Sequence, residues 1–253
     1  MPLVKQQLLL IHGWGMNKAV WHQLEQVFQE DIKVICVDLP GYGDAKNLLP
    51  EQYTTTKIAQ QLANYLNQAE QTIILGWSMG GLIAIELAKL YPQKVASIVL
   101  VASNPQFVQT ANWPNAIEKQ ILIDFSNQLK QDIKKTIKRF IAIQAMGSET
   151  ARQDIKIILS MVEQQAYPEY STLNKGLDIL LTVDLRNSLL SLTLPILMIT
   201  GDRDSLVNIK ALKYLSEQAP NLCLEVISGA GHAPFISHFE QFTNLLRKKL
   251  AFE

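Results

Sequence analysis

Six short apolar runs of strand length, at residues 8–11, 34–37, 72–75, 98–101, 195–200 and 222–227, narrow the fold open to this 253-residue chain more than any other feature. They are rich in Val, Ile and Leu and do not alternate with polar residues, the pattern of parallel strands buried on both faces. Helical patterns at 56–66, 81–91, 209–218 and 239–250 separate or follow several of them. Strand-helix-strand repetition implies an α/β fold, a doubly wound, mostly parallel sheet with right-handed crossovers. Such sheets bind ligands at the carboxyl ends of their strands. The loops at 13–17, 41–47, 77–81 and 202–207 all follow strands.

Between residues 106 and 190 this rhythm stops. No convincing strand occurs there, and amphipathic helices are predicted at 117–125, 129–145, 149–162 and 173–181. In the second of these, Leu129, Ile133, Ile137, Phe140 and Ile141 fall on one face. An all-helical insertion between two halves of a parallel sheet reads as a lid over the strand ends. The predicted division is a core of 1–105 with 191–253, and a lid of 106–190.

Gly76-Trp77-Ser78-Met79-Gly80 stands between the third run and a helical segment. This is the nucleophile-elbow pattern G-x-S-x-G in the strand-to-helix setting it requires. The serine sits on a strained turn that lifts its hydroxyl clear of the sheet, and the glycines let strand and helix approach. A serine hydroxyl needs a base. Of His12, His22, His232 and His238, only His232 lies on the loop directly after the last strand, in Gly229-Ala230-Gly231-His232-Ala233-Pro234. The acid is Asp202 or Asp204, in Gly201-Asp202-Arg203-Asp204. Asp204 is preferred, because three residues past the glycine the loop can turn back to the imidazole. Its role is to hold the His232 tautomer and stabilise the imidazolium. Asp202 is expected to cap the loop or pair with Arg203, and Asp38 to be a structural turn residue. Ser78, Asp204 and His232 occur in the order Ser, acid, His. An oxyanion hole needs two N–H donors, expected from Met79 at the start of its helix and from Trp14 in His12-Gly13-Trp14-Gly15. His12 itself is expected to be a hydrogen-bonded structural residue.

Composition excludes some classes of function. Lys+Arg and Asp+Glu are equal at 23 each, and nucleic-acid binding wants a basic surplus. No Cys/His cluster has metal-ligand spacing, and the serine chemistry calls for no cofactor. Cys36 and Cys223 each lie inside an apolar run and are expected to be small buried hydrophobes of a reducing compartment. Residues 8–11 are too short for the apolar region of a signal peptide, and nothing approaches a membrane span. The expectation is a cytoplasmic protein, with no membrane or nucleic-acid partner, monomeric for want of a large apolar interface.

These motifs, in this order, resemble the α/β-hydrolase family. From about Leu8 onward the chain further resembles the pimeloyl-[acyl-carrier protein] methyl ester esterases of biotin synthesis. The resemblance rests on His12-Gly13-Trp14-Gly15, Val37-Asp38-Leu39-Pro40-Gly41, Gly76-Trp77-Ser78 and the lid run Met146-Gly147-Ser148-Glu149-Thr150-Ala151-Arg152-Gln153-Asp154. Thr182-Val183-Asp184-Leu185-Arg186 and His232-Ala233-Pro234-Phe235-Ile236-Ser237-His238 add to it. The lid run is the most telling, since lids vary most among hydrolases that share a triad. The resemblance implies an α/β-hydrolase fold and a serine carboxylesterase that hydrolyses the methyl ester of pimeloyl-acyl-carrier protein, releasing methanol. It implies a triad of Ser78, Asp204 and His232. It places acyl contacts at Trp14, Ser78, Met79, Phe140, Ile141, Ala142, Ile143, Gln144 and His232. Carrier docking falls on Lys135, Arg139, Arg152 and Lys156. The chain departs from the family in three places. The usual antiparallel edge strand is expected to be reduced to Pro2–Lys5, Lys135 stands where arginine is expected, and Phe239 where proline is frequent.

The lid's charges agree with that implication. Lys130, Lys134, Lys135, Lys138 and Arg139 lie within ten residues, against Asp132 alone. A basic stripe at a pocket mouth would steer an acidic carrier protein. Two other readings keep the fold and change the function: a general short-chain carboxylesterase or C–C bond hydrolase, and a non-catalytic ligand receptor.

Overall fold

The unbroken apolar runs become the strands of one sheet. The computed structural model describes residues 6–67 and 71–250, so the edge strand expected at Pro2–Lys5 lies outside the described residues. The strands are β1 (Gln7–Ile11), β2 (Lys33–Val37), β3 (Thr72–Trp77), β4 (Val95–Val101), β5 (Ile196–Gly201) and β6 (Leu222–Ile227). All neighbours run parallel, in the order β2-β1-β3-β4-β5-β6. β1, β3 and β5 are buried along their whole length, as two-sided coverage requires. β2 and β6, the edges among the described residues, are not, and this corrects the expectation for both cysteines. Cys36 is half-buried and Cys223 exposed, because an edge strand has cover on one side only. Both are free thiols, and partial burial pushes the Cys36 thiol up to about 12.

Helices α1 (His22–Phe28), α2 (Thr55–Leu62) and α3 (Met79–Leu90) follow the first three strands. α2 starts where the Thr54 hydroxyl accepts the Lys57 N–H, and it buries Ile58, Ala59 and Leu62. α3 is buried almost throughout, which explains its all-round apolar sequence.

The insertion between β4 and β5 is helical: α4 (Lys119–Leu129), α5 (Ile133–Gln144), α6 (Ala151–Val162), α7 (Tyr170–Thr182) and α8 (Arg186–Ser191). The two helices predicted over 117–125 and 129–145 are α4 and α5, with the break between them four residues later than expected. α4 continues to Leu129, and extended Asp132 then opens α5 by accepting the Lys135 N–H at 2.9 Å. Trp14 ties the insertion to the sheet. Its indole N–H donates to the Leu173 carbonyl at 2.8 Å, and Gly176 leaves α7 room to lie on the ring, where a Cβ would come within 2.6 Å of Cδ1. The chain closes with α9 (Ile209–Gln218), α10 (Pro234–Ser237) and α11 (Phe239–Leu250). Among the described residues no helix is long and apolar enough to cross a membrane.

Candidate active site

Ser78 sits between β3 and α3 with φ 54° and ψ −120°, a conformation that a residue with a Cβ adopts only when its surroundings enforce it. Three hydrogen bonds do so. Its N–H donates to the Val101 carbonyl at 2.9 Å, and its own carbonyl accepts from the Gly81 N–H at 3.0 Å and the Ser103 hydroxyl at 2.7 Å. Gly76 and Gly80, the two glycines of the elbow motif, leave no room for a side chain. A Cβ on Gly76 would lie 2.6 Å from the Gly81 nitrogen. One on Gly80 would overlap the Ile11 carbonyl oxygen and lie 2.7 Å from that of His12.

His232 and Asp204 meet as the sequence predicts. Nδ1 of His232 is 2.8 Å and 3.0 Å from the two carboxylate oxygens, and both side chains are fully shielded from solvent. The Asp204 Oδ1 also accepts the Leu206 and Val207 N–H groups at 2.8 and 3.0 Å, which fixes the carboxylate. With Nδ1 on the acid, Nε2 is buried and has no hydrogen-bond partner among the described residues. The Trp77 indole N–H donates to the His232 carbonyl at 2.8 Å, so the residue before Ser78 holds the histidine loop over the elbow. Asp202 caps that loop instead, accepting the Gly229 N–H at 2.7 Å and the Ser228 hydroxyl at 3.0 Å. The Gly229 N–H bond holds its carboxyl below the usual range. Arg203 turns away to Glu149, so of the two roles expected for Asp202 the capping one holds.

Met79 is the first residue of α3, where a helical N–H lacks an intrahelical acceptor, and Trp14 lies in the loop after β1. Among the described residues neither amide is given to a protein acceptor. His12 takes the structural part expected of it. Its Nε2 accepts the Leu39 N–H at 3.0 Å, which leaves the proton on Nδ1 to be donated to the Gly13 carbonyl at 2.8 Å. Burial lowers its pKa, keeping it neutral. Asp38 is the turn residue it was expected to be, accepting the Lys18 and Asp44 N–H groups at 2.7 and 2.9 Å.

The five consecutive residues Phe140, Ile141, Ala142, Ile143 and Gln144 cannot share one face of α5, since successive helical residues turn by about 100°. Phe140, Ile141 and Gln144 are buried, Ile143 is half-buried, and Ala142 is turned to solvent. Phe140 packs edge-on against Trp14, ring centres 4.9 Å apart. The Gln144 backbone carbonyl accepts the His232 N–H at 2.9 Å, while its side-chain amide is buried with both polar atoms unpartnered among the described residues. Ser78 is 2 % exposed and His232 0 %, so neither is open to solvent in this state.

The basic stripe divides. Lys134 and Lys138 face Glu163, the residue that ends α6, at 3.9 and 3.2 Å, a partner that a count within the stripe misses. Lys135 and Arg139, one turn apart on α5, line a surface groove with Gln128, Gln131 and Thr136. Arg139 donates to Gln128 Oε1 at 2.6 Å and lies over the Phe125 ring. Arg152 and Lys156, one turn apart on α6, are exposed. Sequence reasoning missed Ser103 and the structural use of Trp77. Nothing in their local pattern marks them, because both act across the sheet. Among the described residues no group of three or more His, Cys, Asp or Glu side chains gathers as a metal site would.

A family model for the alpha/beta hydrolase fold matches residues 7–239. The chain is 42% identical over 240 residues to a pimeloyl-[acyl-carrier protein] methyl ester esterase of Aeromonas salmonicida, covering 95% of this chain and 93% of the other. Relatives bearing the same description in Photobacterium profundum and Vibrio parahaemolyticus are also 42% identical, each alignment covering 95% of this chain and 92% of theirs. Among solved structures, an esterase from Exiguobacterium antarcticum superposes with a TM-score of 0.86 at 23% identity, covering 97% of this chain and 92% of that one. A hydrolase from Oleispira antarctica gives 0.86 at 20%, covering 98% and 92%. At those identities the structural likeness speaks for the fold alone.

Proposed function

The chain belongs to the α/β-hydrolase fold family, and we propose that within it the protein is a serine carboxylesterase acting on the methyl ester of pimeloyl-[acyl-carrier protein]. The products are pimeloyl-acyl-carrier protein and methanol, in biotin synthesis. One observation carries this reading: the likeness to the esterases of that description runs at 40–42% through nearly the whole of both chains, lid included. A shared triad alone would support only a serine hydrolase.

The chemistry assigns each group a role. Ser78 Oγ attacks the ester carbonyl as His232 Nε2 takes its proton. Asp204 keeps the other imidazole proton on Nδ1 and stabilises the imidazolium. The Trp14 and Met79 amides receive the oxyanion, where loss of one donor is worth about 100- to 1000-fold in rate. His232 then protonates the departing methanol, and water, activated by the same base, releases the pimeloyl chain from Ser78. Trp14, Phe140 and Gln144 line the acyl path. The unpartnered Gln144 amide supports a polar contact there, because a buried amide left without a partner costs about 1–3 kcal/mol. Ile141 and Ile143 back this wall, and Ala142 is left out of it.

Lys135 and Arg139 on α5, with Arg152 and Lys156 on α6, receive the acidic carrier. Their exposure and like sign support that assignment. The helical insertion at 106–190 acts as the lid over a core of 1–105 and 191–253. A carrier-bound substrate and unpaired cysteines suit a cytoplasmic monomer.

The test is methanol release from methyl pimeloyl-acyl-carrier protein by wild type and Ser78→Ala. Stoichiometric methanol from wild type and none from the variant is the expected result. Cleavage of small esters with no methanol from the carrier substrate would leave a general carboxylesterase.

A further inference from the structure

The carboxyl end of α5 has an unusual set of partners. The last carbonyls of a helix lack acceptor roles within it and take caps from nearby chain. Here the two catalytic loops add to a local cap, in which the Met146 N–H donates to the Ile143 carbonyl at 3.1 Å. The Gln144 carbonyl accepts the His232 N–H at 2.9 Å, and the Ile143 carbonyl lies 3.4 Å from the Ser205 hydroxyl that donates to it. Beyond the helix, Gly147 turns with φ 90°, and its carbonyl accepts Nη1 of Arg203 at 2.9 Å. The same guanidinium lies 3.8 Å from the Glu149 carboxylate.

Arg203 is fastened on the other side as well. Its backbone N–H donates to the Ala230 carbonyl at 3.0 Å, two residues before His232, and Asp204 follows it directly. One residue on the acid's loop thus reaches the base's loop through its backbone N–H and the turn between α5 and α6 through its side chain. Those two helices carry the exposed cations assigned to the carrier.

We propose that Arg203 is a positioning residue that latches the α5–α6 turn of the lid to the loops bearing Asp204 and His232, so that a carrier seated on α5 and α6 acts through this latch to hold the lid closed over the acyl chain. The ion pair with Glu149 is exposed and adds little. The bond to the Gly147 carbonyl, with a cation at the carboxyl end of α5, is the larger part. The site is shut in this state, so small esters must wait for the turn to lift, whereas the docked carrier substrate needs it down.

The kinetic part of the test rests on the carrier-substrate reading; the exchange part does not. Arg203→Ala and Arg203→Lys are compared with wild type on methyl pimeloyl-acyl-carrier protein and on a small p-nitrophenyl ester. Amide hydrogen exchange is followed at residues 145–151. For Arg203→Ala, loss of one charge-assisted bond predicts kcat on the carrier substrate lower by about five- to tenfold, with KM within about twofold. It predicts kcat/KM on the small ester higher by about two- to fivefold, because opening becomes easier, and faster exchange at the turn. Arg203→Lys, which can still donate to the Gly147 carbonyl, recovers most of the carrier-substrate rate. Losses of the same sign on both substrates would mean a merely structural residue and overturn the proposal, as would unchanged exchange. If wild type fails to hydrolyse the carrier substrate, the functional reading falls, and exchange with the small-ester rate decides the latch by itself.

Discussion

Replacing Gly80 with Ala should damage the site without touching a reacting group. Gly80 lies where α3 crosses the end of β1, and the added Cβ would lie 2.7 Å from the His12 carbonyl oxygen and 2.9 Å from the Ile11 carbonyl carbon. Ordinary contact begins at 3.4 Å, so against His12 alone the helix start or the loop must retreat by about 0.7 Å. Neither obstacle is a flexible side chain, and the Ile11 oxygen is nearer still. Overpacking of this kind costs about 1–3 kcal/mol, which for a chain of this length lowers Tm by roughly 2–12 °C. The functional effect should be larger. Met79 directly precedes Gly80 and Trp14 lies two residues past His12, so the retreat separates the two amides assigned to the oxyanion. A displacement near 1 Å costs about 100-fold in rate. Thermal unfolding and kcat on a small p-nitrophenyl ester measure both effects. Wild-type Tm with wild-type kcat would refute the close-approach reasoning. A lowered Tm with unchanged kcat would refute the placement of the oxyanion donors.

Other perturbations separate the remaining roles. Asp204→Asn should lower kcat by about four orders of magnitude through the wrong imidazole tautomer, leaving KM on a small ester nearly unchanged; a loss under tenfold would remove Asp204 from the triad. Arg139→Glu combined with Arg152→Glu should raise KM for the carrier substrate by roughly tenfold, an effect that shrinks with added salt, with little change on a small ester; equal losses on both would sink the docking surface. Burial lowers the His12 pKa, so the unfolded chain takes up this proton first on acidification, and stability present above pH 6.5 is lost as pH falls below it. Tm measured between pH 7 and 5 should therefore fall less steeply in His12→Gln than in wild type, and parallel slopes would contradict a buried neutral imidazole.

The parts of this fold written in local pattern were legible from the sequence. The runs at 222–227, 209–218 and 239–250 became β6, α9 and α11 with the predicted limits. The elbow was legible because its glycines, its serine and the flanking strand and helix are contiguous. The pairing of His232 with Asp204 was legible because each lies just past a strand of the same sheet. What depends on edges or on distant partners was not. Cys223 lies in an apolar run yet is exposed, since strand order rather than composition decides which strand is an edge. A break between α4 and α5 was expected at 126–128; its true place at 130–132 did carry a signal, Asp132 as the cap before Ile133, which the apolar face drawn from Leu129 masked. Glu163 pairing with Lys134 and Lys138, Ser103 propping Ser78, and Arg203 reaching Gly147 all join residues at least 25 positions apart, beyond any periodicity argument.

The central claim is that this serine site serves a carrier-bound methyl ester, and the ratio of kcat/KM for methyl pimeloyl-acyl-carrier protein to that for a small p-nitrophenyl ester tests it most directly. The account predicts a strong preference for the carrier substrate, with Ser78→Ala abolishing both activities. Equal or greater efficiency on the small ester would contradict it.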